Sequence, residues 1–386
     1  MPRSTCRSFI ALSTLLAGHA ALAGSASFQQ ITGAASANDL TPDGSIVVGQ
    51  RQGGGGYYWT MDGGLVSIGG LDAVAVSDDG STIFGTIADP DTGASRAAIW
   101  TARDGWTALP KFPLGLQCPS LTSAYELSAD GSVAVGLAWD NGCQAHAAYW
   151  SGLDALLGLE YLANGSNRAS VVSADGTVVG GFAQGTFDRT PAVWHADGTG
   201  FTIDPTEAAI GEVTGISDDG VTVLGVWNGS AFTWTEAEGL VLLGSLNPGW
   251  KAQPLDIDGT GTLVGFDLNF TTRFAWIKPN GLPFQDLKTY LTSLGATVAP
   301  TLEVAQAIST DGRVIIGHGF FSGAWIATLP GPDCPADLDG DGAVDGADLG
   351  ELLSQWGGAG SADLDGSGTV DGADLGVLLA AWGACS

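Results

Sequence analysis

The stretch Ile216–Trp234, ISDDGVTVLGVWNGSAFTW, decides the fold. Its skeleton is Ser-x-Asp-Gly, four residues, Gly, a gap, then a small residue two or three places before Trp. Asp-Gly recurs at Asp43-Gly44, Asp79-Gly80, Asp130-Gly131, Asp175-Gly176, Asp219-Gly220 and Asp311-Gly312, with a worn copy at Asp258-Gly259. The matching tryptophans are Trp59, Trp100, Trp150, Trp194, Trp234, Trp276 and Trp325, spaced by 41, 50, 44, 40, 42 and 49 residues. Such a period marks a repeat architecture, in which no residue is interpreted alone.

Asp-Gly between alternating apolar runs, as between Tyr125–Ser128 and Ser132–Val135, is a hairpin signal, because Gly accepts the positive φ of the tight turns. A third run leads into each Trp and a fourth follows a second turn, as in Trp106–Pro110. Four short strands per unit is the content of one propeller blade. Residues Phe28–Thr32 occupy the place of a fourth strand, and the seventh unit lacks one after Trp325. The sequence therefore predicts an all-β, seven-bladed β-propeller over 24–330, with the N-terminal segment completing the last blade. An open β-solenoid is the alternative.

Arg3 and Arg7 precede the apolar run Phe9–Ala23, which ends in Ala21-Leu22-Ala23. That is the pattern of a signal peptide over 1–23, and the run is too short to span a bilayer. The expected location is secreted, extracellular or at the cell surface. Export leaves Cys118, Cys143, Cys334 and Cys385, for which local pairing gives Cys118–Cys143 and Cys334–Cys385. A formal charge of −28, with 13 Lys and Arg, excludes nucleic acid and anionic membrane as natural partners.

The aspartates of the Asp-Gly pairs read as turn formers and the seven tryptophans as filling between blades. Aromatics outside the period, Tyr57, Tyr58, Trp106, Trp139, Trp227 and Trp250, are the candidates for stacking on carbohydrate. No nucleophile elbow, zinc-protease motif or phosphate loop is present, so no catalytic residue is assigned and a non-enzymatic role is expected.

After a linker at 331–335 the composition changes. Asp337–Trp356, DLDGDGAVDGADLGELLSQW, recurs as Asp363–Trp382, DLDGSGTVDGADLGVLLAAW. A calcium loop needs oxygen ligands at positions 1, 3, 5, 7, 9 and 12 and Gly at 6. The first copy supplies Asp337, Asp339, Asp341, the Ala343 carbonyl, Asp345 and Asp348, with Gly342; the second supplies Asp363, Asp365, Ser367, the Thr369 carbonyl, Asp371 and Asp374, with Gly368. Hard oxygen donors in this number suit Ca²⁺, so two sites are expected in a small α-helical module over 336–386. Each loop leads into an apolar stripe, Leu349, Leu352, Leu353 and Trp356, then Leu375, Leu378, Leu379 and Trp382, and the two stripes are expected to pack together. From Asp333 onward the charge is −11 with no Lys or Arg, a repulsion that bound Ca²⁺ would relieve.

Two resemblances follow. The repeat Ser-x-Asp-Gly-x4-Gly with Ala-x-x-Trp resembles the HAF extracellular repeat of exported bacterial proteins, over about 28–330, which implies an extracellular location and no particular reaction. Residues 336–382 resemble a type I dockerin, whose two calcium loops end in Asp and lead into one helix each. That resemblance implies docking onto a cohesin receptor, often within polysaccharide-degrading assemblies. Loop positions 10 and 11, which help choose the partner in dockerins, are Gly346-Ala347 and Gly372-Ala373 here. The functional expectation is a calcium-binding, dockerin-like tether to an extracellular protein. The alternative is a carbohydrate-binding propeller or glycoside hydrolase recruited to a polysaccharide-degrading complex.

Overall fold

A computed structural model describes residues 25–113, 121–140, 142–185, 188–204, 209–330, 334–339 and 343–384. The signal-peptide expectation, Cys118, Asp341, Gly342 and Cys385 fall outside these residues. The chain separates into a unit of Ser25–Leu329 and a second that holds Pro330–Ser386.

Seven four-stranded antiparallel sheets make up the first unit. Their innermost strands are Asp39–Leu40, Asp72–Val76, Thr122–Leu127, Asn167–Val172, Gly211–Ile216, Lys251–Ile257 and Val304–Ile308, for blades 1 to 7. Six blades run outward in sequence order. In blade 7 the outermost strand is Ser27–Gln30, antiparallel to Trp325–Thr328 with Phe28 opposite Ala327. The N-terminal strand thus closes the ring, as the missing fourth strand of the last repeat required, and the open solenoid is excluded.

The repeat signature has a local cause at each position. In blade 2, Ser77 Oγ donates to Asp79 Oδ1 at 2.8 Å and accepts from Thr82 N at 3.1 Å, while Asp79 Oδ1 also accepts from Ser81 N at 2.9 Å. Gly80 takes φ +67° at the turn. These bonds hold the Asp79 carboxyl below its usual range, and they recur around Asp130, Asp175, Asp219 and Asp311. The aspartates are turn formers, as expected.

The Gly that follows four residues later has a different reason. In blades 2 to 7 it faces a carbonyl of the innermost strand so closely that a Cβ would overlap it, and in blade 1 Gly49 faces Ser36 O, just before that strand, in the same way. Gly85 meets Asp72 O, Gly136 meets Ser123 O, Gly225 meets Glu212 O and Gly317 meets Val304 O. Across from this contact, six of the seven inner strands carry a β-bulge, as between Ala124 and Glu126. The bulge and the bare glycine together let the inner strand bend toward the axis. Substituting Gly136→Ala is expected to cost about 3 kcal/mol, the upper range for overpacking, because backbone rather than a flexible side chain must give way. Chemical denaturation of wild type and variant measures it.

Tryptophans fill the wedges between blades. Trp150, Trp194, Trp276 and Trp325 are fully buried, and Trp59 nearly so. Trp150 of blade 3 lies edge-on to Phe84 of blade 2 at 6.1 Å, and its indole N–H donates to Pro110 O at 2.8 Å. Each such ring removes a large apolar area from water; the N–H of Trp194 is likewise paired, on Glu160 O at 2.9 Å, whereas those of Trp276 and Trp325 are buried without a hydrogen-bond partner among the described residues.

Blade 6 departs from the pattern. Asp258 stands where five blades have Ser and blade 1 has Thr41, and its Oδ1 accepts from Thr260 N and Thr262 N, both at 2.8 Å. The positive φ of +87° falls on Gly261 and not on Gly259, so the worn Asp-Gly pair is not the turn itself. The outermost strand shrinks to Gln285–Asp286 and is followed by helix Leu287–Ser293, which the repeat frame did not predict. Asp286 caps that helix by accepting from Thr289 N at 2.8 Å, and Leu287 and Leu291 are buried against blades 6 and 7.

Candidate metal loops and the propeller channel

The second unit is built on a repeat offset by 26 residues. Its core pairs Ala336 with Ala362, Val344 with Val370 and Leu352 with Leu378, all buried. Helices Gly346–Ser354 and Gly372–Ala380 start on capping boxes in which Asp345 and Asp371 accept from Ala347 N and Ala373 N. Strand Ala343–Val344 pairs with Gly383–Ala384, tying the first loop to the end of the module.

Packing of the apolar stripes is narrower than the sequence suggested. Leu352 and Leu378 are buried and Leu349 and Leu375 partly so, but Leu353, Trp356, Leu379 and Trp382 stay about half exposed. Two nine-residue helices meet over roughly one side chain per two turns, so a four-residue stripe is wider than the contact it makes.

The predicted ligands converge. One carboxylate oxygen each from Asp337, Asp339 and Asp348 lie within 4.8 Å of one another, as do those of Asp363, Asp365 and Asp374. Asp348 Oδ1 accepts from Leu338 N at 2.6 Å and Asp339 N at 3.2 Å, and Oδ2 from Asp345 N at 2.7 Å. Asp374 repeats the arrangement with Leu364 N, Asp365 N and Asp371 N. Burial opposes the charge of Asp348, yet these N–H groups hold its carboxyl below the ordinary range; for Asp374 the same N–H donors dominate. Gly368 takes φ +91° at loop position 6, and Gly368 N donates to Asp363 Oδ2 at 2.7 Å. Asp345 and Asp371 point back as helix caps, and Ser367 Oγ donates to the Thr369 carbonyl at 3.2 Å.

The residues fit a hard cation on one independent observation. Asp363 Oδ1 is buried without a hydrogen-bond partner, at the position where a calcium loop places its first ligand. A buried carboxylate oxygen left unpaired is costly unless a cation meets it. Among the described residues of this unit no Lys or Arg supplies that charge.

Cys143 and Cys334 are both disulfide-bonded, and the partners expected for them, Cys118 and Cys385, lie outside the described residues.

In the propeller, a channel of about 560 Å³ runs between the seven innermost strands and continues into a narrower space of about 130 Å³. Its wall carries Asp39, Glu126 and Asp256, which hold the same place two residues before the Ser position of blades 1, 3 and 6. No Lys, Arg or His is among the lining residues. Asp39 accepts from Leu40 N and from Val76 N of the next blade; Asp256 accepts from Ile257 N and from Ile308 N of the next blade, each at 2.8 Å. These carboxyls staple neighbouring inner strands. Glu126, one methylene longer, bonds only its own strand, at Leu127 N, among the described residues.

Surrounded by protein, the three carboxyls are pushed upward, chiefly by desolvation. Asp39 rises to about 7, Asp256 to about 8, and Glu126 well above its ordinary value, with Asp39 and Asp256 adding repulsion. The native ring therefore binds more protons than the unfolded chain between about pH 4 and 8, and its stability falls as pH rises through that window. Asp256→Asn is expected to cost about 1 kcal/mol at pH 5, where one acceptor is lost, and to recover about that much or more at pH 8.5, where the charge is absent. Calorimetric melting across pH should show the two curves converging or crossing.

The aromatics nominated for stacking are placed otherwise. Tyr57 is fully buried with its hydroxyl on Ser36 O, Tyr58 packs on Trp100, and Trp106 donates to Ile68 O at 2.7 Å. Trp139, Trp227 and Trp250 are partly buried. The strongly exposed rings are instead Phe270, Phe320 and Phe321, at turns between the second and third strands of blades 6 and 7.

No protein-family model matches the chain, and no curated protein matches it. Solved structures do. The Myceliophteria thermophila Cps50 (Swd1) β-propeller domain superposes with a TM-score of 0.52 at 10% identity, covering 78% of this chain and 98% of that one. Oligogalacturonate lyase from Vibrio parahaemolyticus gives 0.52 at 11% identity, covering 78% and 93%. Kuenenia stuttgartiensis hydrazine synthase gives 0.48 at 15% identity, covering 79% and 97%. At such identities the likeness is one of fold, and the fold is a seven-bladed β-propeller.

Proposed function

We propose that the protein is an exported, non-enzymatic propeller whose C-terminal dockerin-like module binds two Ca²⁺ and tethers it to an extracellular protein or surface assembly. The observation that carries this reading is the duplicated carboxylate cluster, one copy of which leaves Asp363 Oδ1 buried and unpaired. Asp337, Asp339 and Asp348 would hold one ion with Asp341, Asp345 and the Ala343 carbonyl. Asp363, Asp365 and Asp374 would hold the other with Ser367, Asp371 and the Thr369 carbonyl. Bound Ca²⁺ would supply the positive charge that an 11-fold negative segment lacks, fixing both loops and the helices capped from them. The half-exposed Leu353, Trp356, Leu379 and Trp382 then offer two related apolar patches to a receptor such as a cohesin.

A non-enzymatic reading is supported by the channel. Both oxygens of Asp39 and of Asp256 are engaged by backbone N–H groups, a stapling arrangement with little freedom for proton transfer to a substrate. The tether is tested on the full chain stripped of divalent ions. Adding Ca²⁺ is expected to raise the helical circular dichroism and to shift the emission of Trp356 and Trp382. Unchanged spectra at millimolar Ca²⁺ would remove the calcium-ordered module and the tether with it.

A further inference from the structure

In a chain with 13 basic and 41 acidic residues, cations gathered around one depression call for a cause. A groove of about 610 Å³ opens across blades 4, 5 and 6, with Gln184, Arg189, Asn228, Lys251, Gln253 and Leu268 in its wall. The carboxylates present there are Asp188 and Glu212. Glu212 is held by Arg168 at 2.7 Å, and that guanidinium is fixed over the rings of Tyr125 and Phe182. Arg189 reaches Glu212 only at 3.5 Å and is half exposed, its guanidinium 4.3 Å from the centre of Phe182. The Lys251 ammonium and the side-chain amides of Gln184 and Gln253 have no partner among the described residues. With Glu212 neutralised by Arg168, the wall presents two cations against Asp188, beside two unengaged amides.

The strand that carries Leu268 runs on to an exposed ring. Leu268 leads in two residues to Phe270, the first residue of a two-residue turn, 95% exposed and at φ +52°. Blade 5 makes its corresponding turn with Asn228-Gly229, at φ +49° and +87°, using the residue types that accept such angles at low cost. A bulky aromatic in the same place is disfavoured both by its backbone and by its exposure, and the fold takes no packing from it.

We propose that this groove binds an acidic oligosaccharide: Arg189 and Lys251 meet its carboxylates, Gln184 and Gln253 its hydroxyls, and Phe270 the face of a sugar ring. The site lies wholly within the propeller and goes beyond the calcium tether. A densely charged polyanion such as nucleic acid is disfavoured by the overall charge of −28, whereas a short acidic glycan needs only the local cations.

The test is calorimetric binding to the full chain at fixed Ca²⁺ of a short uronate oligomer, its methyl ester, and an aspartate-rich peptide of equal charge. The free acid should bind about tenfold or more tightly than the ester or the peptide, with an affinity that falls as salt rises. Lys251→Gln should weaken it about tenfold, and Phe270→Asn severalfold while raising the melting temperature. Equal binding of acid and ester, preference for the peptide, no binding at millimolar sugar, or indifference to both substitutions would overturn the proposal. Because Ca²⁺ is held constant and the variants lie in the propeller, failure here is separable from failure of the tether.

Discussion

Replacing Asp337 and Asp363 together by alanine is expected to weaken Ca²⁺ binding at both loops by at least about 100-fold, some 3 kcal/mol per site. Each would be the first ligand of its loop in the proposed sites, and each sits with two other carboxylate oxygens inside 4.8 Å. Removing one carboxylate takes away both a donor and a charge from a site whose affinity depends on the count of each. The helices should go with the ions. Their first turns are fixed through Asp345 and Asp348, and through Asp371 and Asp374, which share loop backbone with the ligands. Without Ca²⁺ these loops hold like charges together in a segment with a small core of three residue pairs. The double variant should therefore show little Ca²⁺-induced helical signal, while the propeller melts as in wild type. A variant that still gains helix at millimolar Ca²⁺ would mean that other groups hold the ions.

Deleting Ser25–Gln30 is expected to have the largest effect on the propeller. This segment supplies the fourth strand of blade 7, with Phe28 against Trp325 at 5.9 Å, Ala26 buried and Ala26 N donating to Leu294 O at 2.8 Å. Its loss leaves strand Trp325–Thr328 as an open edge and exposes the apolar cluster where the first and last parts of the chain meet. A stabilisation of about 5 kcal/mol or more, a large share of the total for an ordinary domain, should vanish. Thermal unfolding would then lose its single sharp transition or move down by more than about 10 °C. A truncated chain that melted like wild type would show that closure through the N-terminal strand adds little.

Much of this was legible in the repeat. Asp-Gly, the bare Gly and the Trp each answer a geometric need that recurs in every blade, so the period exposes them. Blade 6 was harder. Its turn is one residue shorter, with Asp258 doing the work of Ser, and the repeat frame hid the cap signal of Asp286 before Leu287 and Leu291. The channel carboxylates form a readable column two residues before the Ser position, but one occupied in only three blades. Exposure was least legible. Tyr57 and Trp106 look free of the period yet are packed, whereas Phe270 stands exposed where blade 5 has Asn. The two converging carboxylate clusters were visible because the loop spacing is local along the chain. The width of the helix contact depends on how two short helices meet, which the apolar stripe alone does not specify.

Calorimetric titration of Ca²⁺ into the metal-stripped full chain decides whether the C-terminal loops are calcium sites. Two sites are expected, filled together with a gain of helix and lost in the Asp337→Ala, Asp363→Ala double variant. Absence of heat at millimolar Ca²⁺, or binding that the double variant retains, would contradict that expectation.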